Sequence, residues 1–263
     1  LIGKRRIATW AAWAMLTITV LFIGMLLYLY FLNQRTWLSL FTEYILMVII
    51  TPVSLGIVGT FIVINRPRNG IGWLFCVVGA GLACSGFIQQ YTRYALTAHL
   101  ESSPIAVFIT WLNFWTFIPI IYSMIFIVPL VFPDGRLPSP RWRPFLWSTI
   151  GALVVLTLSS AMRAGPVDAS LAEINNPLAP AELQPLSGLL GNLGIGLTLI
   201  NLGSAIAAPI VRMKRARGAE RQQMKWFAYG SFVLALSLIL PIVLSWPNFT
   251  QDTLLSGILL PIG

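Results

Sequence analysis

The sequence predicts an all-α fold: a polytopic transmembrane helical bundle with seven complete spans and the start of an eighth, in one domain over 1–263. Three observations predict it. Apolar residues fill 57% of the 263 positions and charged residues only 10%, with a mean hydropathy of +0.82. Soluble domains carry about 25% charged residues, and disordered chains are poor in apolar ones. The apolar residues also lie in blocks of 18 to 29, whereas a hydrocarbon core needs about 20 helical residues. Finally, Lys and Arg fall in alternate connections between those blocks.

The expected spans are Ile7 to Leu32, Tyr44 to Asn65, Ile71 to Ala95, Pro104 to Phe132, Phe145 to Met162, Leu186 to Met213 and Trp226 to Trp246, with a partial one from Leu254 to Gly263. None alternates with period two, which argues against a membrane β-barrel. The first follows Lys4, Arg5 and Arg6, as a secretory leader does. It is too long for a leader core and no small-residue cleavage site comes after it, so it reads as an anchor. The chain begins at Leu1 and stops ten residues into its last apolar run. A C-terminal cytoplasmic part beyond Gly263 is therefore expected.

Orientation follows from the basic residues. Lys4, Arg5, Arg6, Arg66, Arg68, Arg136, Arg141, Arg143, Arg212, Lys214, Arg215, Arg217, Arg221 and Lys225 fall on one side, and Arg35, Arg93 and Arg163 on the other. The distribution predicts a multi-pass membrane protein with its N-terminus in the cytoplasm. The net charge of +9 thus reports orientation and membrane lipids as partners, not nucleic acid. Six of the eight acids, Glu43, Glu101, Asp168, Glu173, Glu182 and Asp252, fall outside. The longest outer loop, Arg163 to Pro185, is too short to bury a core.

Span 3 carries Gly72, Cys76, Ala80 and Cys84 at intervals of four. Small residues so spaced let helix backbones approach closely in lipid, within one chain or in a homodimer. The two cysteines, about 12 Å apart along one helix, cannot pair. Span 6 has a looser set, Gly196, Gly203 and Ala207, with Asn192 and Asn201 available for bonds to neighbouring helices.

Several function classes lose support. No Asp, Glu, Lys or Arg lies deep in a span, although ion-coupled transporters commonly use such groups. The single histidine, His99, falls in an outer loop and cannot supply paired axial haem ligands. No phosphate loop, zinc motif or nucleophile elbow occurs. The sequence thus carries no catalytic, metal or cofactor site.

Three connections on the basic side are distinctive: Asn65-Arg66-Pro67-Arg68-Asn69-Gly70-Ile71-Gly72-Trp73-Leu74, Phe132-Pro133-Asp134-Gly135-Arg136-Leu137-Pro138-Ser139-Pro140-Arg141-Trp142-Arg143, and Arg217-Gly218-Ala219-Glu220-Arg221-Gln222-Gln223-Met224-Lys225-Trp226. Pro67, Asn69-Gly70 and Asp134-Gly135 are turn chemistry. Positive-inside charge explains the arginines but not such specific strings.

In this order and spacing, the strings resemble the membrane-embedded N-terminal region of a family of bacterial sensor histidine kinases, from about Arg66 to Gly263. In that family an eighth helix leads into a phospho-acceptor helix and an ATP-binding domain. Neither has a matching position here, so no catalytic residue is carried over. The resemblance implies a signal-input module of a two-component system. Arg136, Arg141, Arg143, Glu220, Arg221, Gln222, Gln223 and Lys225 would then face an output domain, its own or a separate one. The competing expectation is a structural integral-membrane subunit of a larger respiratory or photosynthetic complex.

Overall fold

A computed structural model describes residues 2–33, 35–42, 45–97, 103–165, 176, 179, 181–218 and 220–230. Among them are helices and turns and no strand. The long helices are α1 (Ile2–Leu32), α3 (Ile45–Asn65), α4 (Gly70–Thr97), α5 (Pro104–Tyr122), α7 (Arg143–Ala161) and α8 (Gln184–Arg215). Between them lie the short α2 (Ser39–Thr42) and α6 (Val128–Val131). Six helical stretches are long and apolar enough to cross a membrane: Arg5–Leu32, Ile45–Asn65, Gly70–Ala95, Pro104–Val131, Pro140–Ala161 and Gln184–Arg215. These match the first six expected spans, and the chain is a multi-pass helical membrane protein. The expected seventh span is described only to residue 230, where 220–230 is helical. Its remainder, the partial eighth span and His99 lie outside the described residues.

The chain divides into two compact units, Leu1–Ala207 and Ala208–Gly263. In the first, the helices run alternately up and down. Thr60 Oγ1 donates to the Ala12 carbonyl (3.3 Å), and Ala12, Val63 and Cys76 share a buried cluster. The start of α1, the end of α3 and the start of α4 therefore lie at one end of this unit. At the opposite end Asn33 Nδ2 donates to the Gln90 carbonyl (3.1 Å). α5 returns antiparallel to α4, with the Thr92 and Thr110 hydroxyls 2.9 Å apart. α7 rises again until the Trp111 indole donates to the Ala161 carbonyl (3.0 Å). α8 descends beside it, with Ser159 and Ser187 hydroxyls each donating to the other's carbonyl.

Small residues set the closest contacts. A Cβ on Gly59 would stand 2.7 Å from the Cys76 backbone nitrogen and 2.8 Å from the Gly72 oxygen. One on Gly79 would stand 2.8 Å from the Pro52 oxygen. The α4 face that packs inward is Gly72, Cys76, Gly79, Ala83, Gly86 and Gln90, all buried, with spacings of three and four. A strict spacing of four gains about 40° per step on a helix of 3.6 residues per turn. Gly72 and Cys76 therefore lie in the α3 contact, whereas Ala80 and Cys84 rotate to half-buried positions. At Gly72 and Cys76 the stripe packs against α3 of the same chain.

α8 departs from the small set expected in span 6. Gly196 and Gly203 have open space beside them, whereas a Cβ on Gly194 would meet Leu156 at 2.6 Å and one on Gly191 would meet Ser159 at 3.0 Å. Asn192 is exposed and Asn201 fully buried.

Candidate functional site

The first two distinctive connections meet at the end of the first unit where α1 begins. Asn69, 8% exposed, joins them. Its Oδ1 accepts from the Ile71 N–H (3.0 Å) and caps α4. Its Nδ2 donates to the Pro133 carbonyl (3.4 Å). Gly135, at φ +75°, sits directly against this side chain: a Cβ there would be 2.6 Å from Asn69 Oδ1 and 2.9 Å from the Gly70 nitrogen. Only glycine combines that backbone with that approach. The Phe132–Pro133 peptide is cis. The Trp73 indole closes the first connection by donating to the Pro67 carbonyl (2.9 Å), and Asp134 Oδ1 accepts from the Arg136 N–H (3.3 Å) in the second. The two loops thus form one hydrogen-bonded latch between the α3–α4 and α6–α7 connections.

The chain enters this latch from an irregular stretch inside the bilayer-length helix. Ser123–Ile127 is a π-helical segment between α5 and α6. Pro119 and Pro129 flank it, and each lacks the N–H that a regular turn would use. The Ser123 hydroxyl donates to the Pro119 carbonyl (2.6 Å), and the Val128 N–H donates to the Ser123 carbonyl, five residues back. Such segments recur at functional sites.

Just before it, Tyr122 links α5 to α8. Asn201 Nδ2 donates to the Tyr122 hydroxyl (3.2 Å). That hydroxyl lies 3.3 Å from Thr198 Oγ1, and Thr198 donates to the Gly194 carbonyl (2.7 Å). With the last bond's direction set, the chain of bonds runs one way, from Asn201 through Tyr122 and Thr198 to Gly194. Tyr122 also stacks on Phe126 at 4.2 Å, and both belong to a buried cluster with Ala152 and Ala205. Asn201 Oδ1 has no hydrogen-bond partner, which concentrates an unmet polar group at bilayer depth.

The residues expected to face an output domain are all exposed: Arg136, Arg141 and Arg143 in the first unit, Glu220, Arg221, Gln222, Gln223 and Lys225 in the second. In the second unit Arg221, Gln222, Lys225, Trp226 and Tyr229 line one open cleft with Gly218. Arg141 lies in the 3-10 turn Pro140–Trp142, and Arg143 opens α7. The sequence singled out both strings of the latch, but not their meeting, because Asn69 and Pro133 are 64 residues apart. The Tyr122–Asn201 bond was likewise legible only as an Asn in need of a neighbour.

Among the described residues no three His, Cys, Asp or Glu side chains come together as metal ligands. Comparisons with protein families, curated proteins and solved structures find no match.

Proposed function

We propose that this chain is a membrane signal-input module of the type that precedes a bacterial histidine kinase, non-catalytic in residues 1–263. The observation that carries the reading is the unbroken line from the Tyr122–Asn201 bond, through the π-helical segment, to Gly135 seated on Asn69. A π-helical turn relaxes to α by losing one residue of register, which rotates the downstream chain by about 100°. Here the downstream chain is α6 and the latch. A stimulus that changes the Asn201 contact in the bilayer would shift the turn carrying Arg136, Arg141 and Arg143. On this reading the basic end is cytoplasmic, in the inner membrane, and the exposed basic and amide side chains of each unit meet the output domain.

One surface favours the subunit reading. On α7, Trp147, Gly151, Val154 and Leu158 lie along one helical stripe. The three large members are exposed, and Gly151 has open space beside it. Another membrane helix would pack on such a stripe.

The intact mass of the protein from its native membrane separates the two. A mass well above 29.1 kDa, with peptides continuing past Gly263 into an ATP-binding domain, is expected. A mass near that value, with stoichiometric co-purification of redox or pigment subunits, would overturn the input-module reading in favour of the subunit.

A further inference from the structure

The first turns of α1 carry a surface that neither the latch nor the Tyr122 relay uses. Arg5, Arg6, Thr9, Trp10 and Trp13 line an open cleft of about 740 Å³. The Thr9 hydroxyl donates to the Arg5 carbonyl (3.0 Å), so it is turned back onto its own helix. Both arginines are exposed, and neither has a carboxylate partner among the described residues. Trp10 is 74% exposed and Trp13 51%. Two adjacent unpaired cations above two exposed indoles call for an occupant with an anionic head and an apolar body.

The face continues below the cleft. At 100° per residue, positions 6, 10, 13, 17, 20 and 24 fall within about 80° of arc. Arg6, Trp10, Trp13, Thr17, Val20 and Gly24 are all exposed, and Gly24 has nothing within 4 Å of a Cβ position. The inward face, with Ala12, Thr19, Ile23, Leu26 and Tyr30, lies on the opposite side. From Arg6 to Trp13 the helix rises about 10 Å, and from Trp13 to Gly24 about 16 Å. The second distance matches one leaflet, half of a hydrocarbon core about 30 Å thick. Charge, then indole, then a smooth track ending at glycine repeats the order of phosphate, ester zone and acyl chain.

We propose that this face is a binding site for one anionic diacyl phospholipid. The phosphate lies between Arg5 and Arg6, the glycerol esters lie at Trp10 and Trp13, and an acyl chain lies along Thr17, Val20 and Gly24. Paired arginines suit a phosphate because guanidinium donors match its oxygens in pairs. The site does not depend on the proposed signalling role.

The test uses the full chain in neutral detergent, titrated with phosphatidylglycerol and followed by native mass spectrometry. One phosphatidylglycerol is expected to remain bound per chain where phosphatidylcholine does not. Arg5→Gln with Arg6→Gln weakens that binding by about 25-fold, the effect of two basic contacts of ordinary strength at an anionic surface. Arg66→Gln with Arg68→Gln, at the same end, leaves it within about twofold. Equal loss in both double variants would overturn the site in favour of diffuse charge attraction, and loss in neither would overturn it by showing that the arginines do not hold the lipid. Inorganic phosphate is expected not to displace the lipid; displacement at millimolar levels would make the site one for a free anion. A second readout needs no arginine variant. Phosphatidylglycerol brominated on its acyl chains quenches the wild-type tryptophan fluorescence more than that of Trp13→Phe, and equal quenching counts against the placement.

Discussion

Gly135 and Asn69 show how much one residue decides. At φ +75° a side chain costs roughly 1–2 kcal/mol, and at Gly135 a Cβ would also press on Asn69 Oδ1. Gly135→Ala should therefore lower thermal stability in detergent by at least that amount. Asn69→Ala removes the cap on α4 and the bond to the Pro133 carbonyl, at a cost of about 0.5–2 kcal/mol. The two losses should not add. With Asn69 truncated, the methyl introduced at position 135 has lost the nearer of the two atoms it met and keeps only the Gly70 nitrogen at 2.9 Å, so the double variant should be milder than the sum by about 0.5 kcal/mol or more. A double-mutant cycle by thermal unfolding checks this, and strict additivity would mean that the two loops are not coupled. Each string was legible as a turn from its own residues. Their coupling was not, because turn chemistry is local and the hydrogen bond joins Asn69 to Pro133.

At the scale of elements, the contact between α3 and α4 depends on glycines that admit backbone against backbone. Gly59→Ala places a methyl 2.7 Å from the Cys76 nitrogen, and backbone cannot rotate aside as a side chain can. Overpacking of this kind costs about 1–3 kcal/mol. Gly24→Ala meets nothing within 4 Å and should be neutral, or stabilising by up to about 1 kcal/mol through helix propensity. Melting temperatures of the two variants in one detergent give the comparison. A Gly59→Ala protein as stable as Gly24→Ala would mean that α3 and α4 are not in this close contact. The interval of four marked α4 as a packing helix from sequence. Its drift, by contrast, is a property of helix geometry, and only the neighbouring helices select Gly79 and Ala83 over Ala80 and Cys84. The π-helical segment had no such sequence signal beyond Pro119 and Pro129, since a proline is one of several causes of a helix kink.

For the whole first unit, the up-and-down path gathers Arg5, Arg6, Arg66, Arg68, Arg136, Arg141 and Arg143 at the end that holds the latch, and Arg35, Arg93 and Arg163 at the other. The bias that sets orientation is thus carried by the path of the helices as well as by the loop counts. With the proposed cytoplasmic N-terminus, Ser139→Cys in a chain otherwise free of cysteine should react with an impermeant maleimide only from the cytoplasmic side of oriented vesicles. Thr36→Cys should react only from the outer side. The reverse pattern would invert the topology, and reaction of both from one side would contradict the path.

The class of this protein was settled by composition. A chain that is 57% apolar and 10% charged, with its apolar residues in span-length blocks, has to satisfy its backbone hydrogen bonds internally in lipid, and helices do so within each segment. The boundaries of the first six spans came from the same blocks, bounded by Pro, Gly and charge. Tertiary structure decided the features that those local signals do not contain: which face of α4 is inward, which loops touch, and which asparagine of α8 is buried. These depend on residues distant in sequence meeting at a few ångströms. Between equally apolar helices in lipid, hydrophobicity does not choose a partner, so close packing and single polar bonds do.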